Sequence, residues 1–183
     1  MSETPNPPFK AMADCKIVIV GCNHGIQTED ADVVFGDSEQ VAQQKRQFTN
    51  LIESLIKENE IQFVAEEWSL ANASSAHKVA DANKKSWAYI NTSLEELDEM
   101  KIPHDYIHGG AFSPEQKHQW TRQREGVMVK NLREGRGVAR KFLVICGFEH
   151  VEPLADMLRE DCDTVERVDY RKRQWYQAGL FAD

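Results

Sequence analysis

The chain contains no apolar run approaching the length needed to cross a bilayer. Its opening, Met1 to Lys10, is polar and proline-rich, without the charged-then-apolar order of a secretory leader. Cysteine is sparse. The four present (Cys15, Cys22, Cys146, Cys162) show neither C-x-x-C spacing nor a small-scaffold pattern, and three lie in or beside strand-like runs. Reduced, mostly buried thiols in a cytosolic protein are therefore expected, with Cys22 set apart by its place inside a motif discussed below. Positive charge is also short, 22 Lys and Arg against 30 Asp and Glu, for a net charge of -8. That balance argues against phosphate-driven binding of nucleic acid and against anionic membrane surfaces. The basic clusters Arg133 to Lys141 and Arg171-Lys172-Arg173 read as solvated surface. H-E-x-x-H, G-x-S-x-G and G-K-[ST] are missing, which removes the commonest metalloprotease, α/β-hydrolase and P-loop readings. Gly21 and Gly25 make only G-x-x-x-G, followed by a polar loop and not by the helix that a dinucleotide site requires.

What remains is a chain of 183 residues, 41% hydrophobic, long enough for one domain with a real core. Residues 1–14 read as a flexible lead-in and 15–183 as the domain. Lys16 to Val20, Ile61 to Ala65 and Phe142 to Cys146 are short β-rich runs typical of buried parallel strands. Thr164 to Tyr170 reads as a final strand and Ile102 to Ile107 as a weaker one. An acidic loop is expected from Gln27 to Gly36. A helix follows, opened by Asp37 or Ser38 and burying Val41, Phe48, Leu51, Ile52 and Leu55. Ser74-Ser75 predicts a helix through Asn83, and Ser93 with Glu96 has capping-box spacing for a short one. Ser113-Pro114-Glu115-Gln116 is a strong start for a helix to about Glu134, stopped by Gly135 and Gly137. Pro153 opens another, carrying Leu154, Met157 and Leu158. The alternation predicts a single α/β domain, its mostly parallel sheet flanked by helices, with a site at the carboxyl ends of the strands.

Two strand-like runs end alike: glycine, two residues, histidine. They are Gly21-Cys22-Asn23-His24 and Gly147-Phe148-Glu149-His150. Ten glycines and six histidines would give only roughly 0.3 such matches by chance. Both histidines should sit just beyond strand ends, and the second strand closes in Glu66-Glu67. Imidazole with a carboxylate suits Zn, Mn, Co or Fe, and two histidines with one carboxylate leave positions open for water and substrate. Neighbouring strand residues face opposite ways, so one glutamate of the pair is expected at the site. Glu66 is preferred as the first polar residue past the apolar run. On the long helix, Trp120, Val127 and Met128 mark an inward stripe that includes Arg124, which needs an anionic partner. Glu66 or an anionic substrate group would serve. His77, His104, His108 and His118 lack comparable context.

This order of parts resembles the TraB/Tiki proteins with their erythromycin-esterase-like and ChaN-like relatives. The shared pattern is G-x-x-H after an early strand, a glutamate ending the next, an arginine on a middle helix, and a second G-x-x-H. Here those positions are Gly21 and His24, Glu66 or Glu67, Arg124 with Met128 one turn on, and Gly147 and His150. The resemblance implies a small stand-alone member. Tiki-type proteins are divalent-metal-dependent peptidases, esterase-type ones hydrolyse a lactone with histidine and acidic residues, and ChaN-type ones bind haem.

The expectation is thus a cytoplasmic, metal-dependent hydrolase acting on a small-molecule or peptide substrate. His24, His150 and Glu66 would hold a divalent transition metal, with Glu67 or Glu149 as general base and Arg124 steadying an anionic intermediate or a substrate carboxylate. The alternatives are a haem or small-ligand binding protein and a metal-independent esterase-like hydrolase using His and Glu. Substrate and oligomeric state are not legible.

Overall fold

Five strands pair in parallel to form one sheet in the computed structural model, which describes residues 14–27, 39–67 and 73–176. The lead-in up to 13, the acidic loop over 28–36 and the capping Asp37 lie outside those residues. The strands are β1 (Lys16–Cys22), β2 (Phe63–Glu66), β3 (Ser86–Tyr89), β4 (Lys141–Gly147) and β5 (Thr164–Asp169), in the order β3-β2-β4-β1-β5. Among the described residues six α-helices connect them: α1 (His24–Gln27), α2 (Glu39–Glu58), α3 (Ser75–Ala82), α4 (Leu94–Glu99), α5 (Pro114–Gly135) and α6 (Val151–Leu158). The α/β class and parallel sheet are as the sequence predicted.

Strand alternation divides the core in two. Val18, Val20, Val64, Leu143 and Ile145 pack with Val41, Phe48, Ile52 and Ile56 of α2 and Ala76 and Ala80 of α3. Ile17, Ile19, Phe63, Ala65, Phe142 and Val144 pack on the other side with Met128, Val129 and Leu132 of α5 and Leu154 and Leu158 of α6. The chain steps from β1 to β2 to β3 in one direction over the first face. It returns through β4 to β5 over the second. A single crossover hand requires this division. Because β4 sends its helix to the opposite face from its neighbours β1 and β2, the topological switch lies beside its carboxyl end, where open α/β sheets place ligands.

Three expectations need correction. Ile102 to Ile107 is not a strand: Ile102 is buried, but the chain turns at Pro103 into a 3-10 turn, His104–His108. Proline lacks the N–H a ladder needs. The strand missed is β3, an edge strand whose half-exposed Ser-Trp-Ala-Tyr has no clean alternation. The inward stripe of α5 is Arg124, Glu125, Met128, Val129 and Leu132, with Val127 only half-buried. Finally, Cys15 and Cys162 are joined as a disulfide, their Cα atoms 4.9 Å apart, while Cys22 and Cys146 are free and buried. Proximity of the start of β1 to the turn before β5 brings that pair together, and support for a reducing compartment from four reduced cysteines is lost. Among the described residues no helix is long and apolar enough to cross a membrane.

Gly21 shows how tightly the carboxyl edge is built. A Cβ there would lie 2.5 Å from Val151 Cγ2 and 3.3 Å from Phe148 Cα, so the chain leaving β4 packs directly on β1. Gly21→Val should cost on the order of 1–3 kcal/mol through overpacking. Urea denaturation checks this; an unchanged midpoint would contradict that packing.

Candidate active site

His24, Glu67 and His150 converge at the carboxyl ends of three adjacent strands, β1, β2 and β4. Each is delivered by a short local motif. Past β1, the Asn23 side chain accepts from the Gly25 amide at 2.8 Å and starts the single turn of α1. His24 and Gln27, three residues apart on that turn, share one side, and Nδ1 meets Gln27 Oε1 at 2.6 Å. Past β4, the 3-10 turn Phe148–His150 leads into α6 and leaves His150 1% exposed. Gly147 sits beneath them. A Cβ on it would stand 3.5 Å from His24 Nε2, 3.5 Å from His150 Cδ2 and 3.6 Å from Glu67 Oε2, so the glycine leaves a gap of about one methyl group between the three.

The glutamate in this group is Glu67, which corrects the preference for Glu66. Alternation continues past the end of β2. Glu66 points to the α2/α3 face, where Oε1 accepts from Gln27 Nε2 at 2.8 Å and Oε2 from the Ser74 hydroxyl. Glu67 extends the ladder through its amide to the Ile145 carbonyl, 2.8 Å, and turns its carboxylate to the other side. There Oε1 accepts from Arg124 Nη2 at 3.0 Å and faces His150 Nε2 at 3.4 Å. Its Oε2 accepts from the Gly147 amide at 2.9 Å and lies 3.9 Å from His24 Nε2. Choosing the first polar residue after an apolar run overlooked that the run need not end in register with the site.

Helix α5 supplies two opposite charges from adjacent residues. Arg124 meets Glu67 and also donates to Asn91 Oδ1 at 3.1 Å. Glu125, 1% exposed, approaches His150 Nδ1 at 3.1 Å through Oε1. Arg122 donates to its other oxygen at 3.3 Å. Glu149 is exposed at the rim, yet its Oε1 reaches within 3.3 Å of His150 Nε2. Sequence reasoning missed Glu125, Gln27, Asn91 and Ser74. The first two carried signals: Glu125 precedes Met128, Val129 and Leu132 at helical spacing, and Gln27 falls three residues after His24. Ser74 was expected only as a helix cap, a role it also fills by accepting from the His77 amide at 3.0 Å. His77 lies against Trp87 and His104 pairs with Asp98 at 2.9 Å.

Burial and pairing push these groups apart in acidity. Burial opposes ionisation of Glu67, but the His150 hydrogen bond, the charges of His150 and His24 and the Gly147 amide outweigh it and bring the pKa down to about 2. Burial likewise opposes charge on His150. Glu125, Glu67 and Glu149 prevail and raise it to about 9. Glu66 goes the other way: burial lifts it to about 7 despite the opposing hydrogen bonds from Ser74 and Gln27. The thiols of Cys22 and Cys146 are held protonated by burial well above neutrality, so the cysteine inside the first motif is no nucleophile.

Both imidazoles thus have Nδ1 engaged by an acceptor, Gln27 or Glu125, and turn Nε2 toward one ionised carboxylate. Metal-binding histidines are oriented in the same way, with the second ring nitrogen held by a carboxylate or carbonyl. As the side chains stand, no group of three or more His, Cys, Asp or Glu among the described residues is placed to hold a metal. Glu67 Oε1 is shared by Arg124 and His150, and the His24 ring is 3.9 Å from Oε2. By donor type alone, His24, His150 and Glu67 could hold a small divalent cation once His150 gives up the Nε2 proton it shares with Glu67. No family model, curated protein or solved structure matches the chain.

The shifts give stability a definite pH dependence. Glu67, low in the folded state, contributes stability that is present above its ordinary value of 4.5 and lost as pH falls toward 2. His150, raised from 6.5, contributes fully below 6.5 and loses its contribution as pH rises through 9. Glu66 folds most favourably as the neutral acid, so its contribution fades between 4.5 and 7. Glu66→Gln, which mimics that neutral form, should gain on the parent by up to about 3 kcal/mol between pH 5 and pH 8. Urea unfolding of both proteins at the two pH values checks this. A stability difference that does not change with pH would contradict burial as the cause.

Proposed function

We propose that the chain is a hydrolase of a peptide, amide or ester bond that works with a divalent metal ion at the His24–Glu67–His150 cleft. The observation that carries this reading is the shared aim of two Nε2 atoms at one ionised carboxylate next to Gly147. The chemistry such an ion supplies when bound is Lewis acidity, which polarises a carbonyl and acidifies water near neutral pH. Gln27 and Glu125 engage the two rings by Nδ1, which favours the orientation that turns each Nε2 toward Glu67. Arg124, 9% exposed and with no hydrogen-bond partner for its Nε among the described residues, brings fixed positive charge to the cleft. That charge suits a developing oxyanion or a carboxylate on the substrate. Glu149, at the rim beside His150, is the group best placed to take a proton from the solvent side and pass it on. The likeness to the TraB/Tiki proteins supports the same assignment, as does the switch-point position of the cleft.

His24→Ala and Glu67→Gln should each lower turnover of an ester or peptide substrate by at least about 100-fold. Both should also weaken Zn²⁺ or Mn²⁺ uptake measured by calorimetry on the folded protein. Turnover that survives thorough chelation would instead assign the chemistry to His24 and Glu67 acting alone. Stoichiometric haem with a Soret band, and no hydrolysis, would replace catalysis with binding.

A further inference from the structure

The His24–Gln27 contact raises a question of chemistry that the ligand set leaves open: which nitrogen of His24 carries the proton. A glutamine side chain has one accepting end and one donating end, and the two cannot be exchanged without rotating the amide. In Gln27 the donating end is anchored at the end of β2. Nε2 lies 2.8 Å from Glu66 Oε1 and 3.4 Å from the Glu67 main-chain carbonyl. A carbonyl only accepts, so the NH₂ group must point there. Glu66 is in turn held from its other oxygen by the Ser74 hydroxyl, and Ser74 is fixed as the cap of α3. Gln27 is fully buried and Glu66 is 2% exposed, so water does not compete for these bonds. With its NH₂ end anchored, Gln27 can offer only Oε1 to the ring, 2.6 Å from Nδ1.

We infer that Gln27 is a positioning residue: locked by Glu66 and the Glu67 carbonyl, it fixes neutral His24 as the Nδ1–H tautomer and leaves Nε2 bare toward Glu67 and the cleft. Carbonyl and carboxylate partners on one imidazole nitrogen set the state of the other in this way. The arrangement assigns the Glu66-Glu67 doublet two linked tasks. One carboxylate lies in the cleft, and its neighbour, facing the opposite side of the sheet, controls the histidine opposite it through a single amide. The inference deepens the hydrolase reading, since a bare Nε2 is needed whether His24 holds a cation or takes a proton. The tautomer itself does not depend on that reading.

The test is nitrogen-15 NMR of the metal-free, full-length protein with the ring neutral. Expected are a protonated Nδ1 and an unprotonated Nε2 for His24, with a trans-hydrogen-bond coupling from Nδ1 to the side-chain carbonyl carbon of Gln27. A protonated Nε2 in the parent protein would overturn the inference, whatever the enzyme does. Gln27→Met, similar in length but unable to accept, should release the ring toward the Nε2–H form. It should also lower kcat by roughly 10- to 100-fold with little change in KM. Retention of the Nδ1–H tautomer in that variant would also overturn the assignment. Should the variant not fold, the coupling in the parent protein decides alone: its presence supports the relay and its absence rejects it. If the tautomer is as expected but neither metal nor hydrolysis is found, the hydrolase reading fails and the relay stands.

Discussion

A single buried anion organises the carboxyl edge of this sheet. Glu67 is ionised at any ordinary pH although almost no solvent reaches it, and an unpaired carboxylate in that position would be very costly. Its partners come from every element that meets there: the Arg124 guanidinium from α5, the His150 ring and Gly147 amide from the end of β4, and the His24 ring from the end of β1. Satisfying that charge and assembling the candidate site are one event. Removal of the Arg124 or the His150 cation would leave the carboxylate under-compensated, and the helix bearing Arg124 also provides Glu125, which holds His150 from behind.

The second constraint is the two-residue period of a strand. Because Glu66 and Glu67 face opposite sides of the sheet, one doublet furnishes two environments of opposite character. Glu67, among cations, is held ionised. Glu66, among a hydroxyl, an amide and apolar neighbours, titrates near neutrality. Pairs of carboxyls pushed apart in this way are what active sites use to separate acid from base. Here the neutral-leaning partner does not face the cleft, and its influence passes through Gln27.

Much of this was legible in the sequence. Parallel strands announced themselves as unbroken aliphatic runs, and the matched Gly-x-x-His endings implied a shared site because strand ends are fixed by the sheet. The helix starts at Ser74, Ser93 and Ser113 followed from capping chemistry, which is local. What could not be read was set by tertiary contact. Strand order decides whether His24, His150 and Glu67 meet, and β4 lying between β1 and β2 brings the three together. Glu67 rather than Glu66 faces the histidines because alternation puts it on the α5 side of the sheet, and an apolar run does not tell which face its last residue takes. Glu125 was hidden by placing the inward stripe of α5 one position early. The strand β3 was hidden because an edge strand with one half-exposed face lacks the apolar signature of the central ones. The Cys15–Cys162 link joins residues separated by 147 positions, beyond any local pattern.

The account turns on His24 Nε2 and His150 Nε2 both lying beside the Glu67 carboxylate, next to Gly147. Anomalous X-ray diffraction from crystals grown with Zn²⁺ or Mn²⁺ tests it most directly. The account predicts one strong peak over Gly147, within bonding distance of both Nε2 atoms and of Glu67, with Glu66 still bonded to Gln27 and Ser74. A peak bound elsewhere, or crystals at saturating metal with no peak at that point, would contradict it.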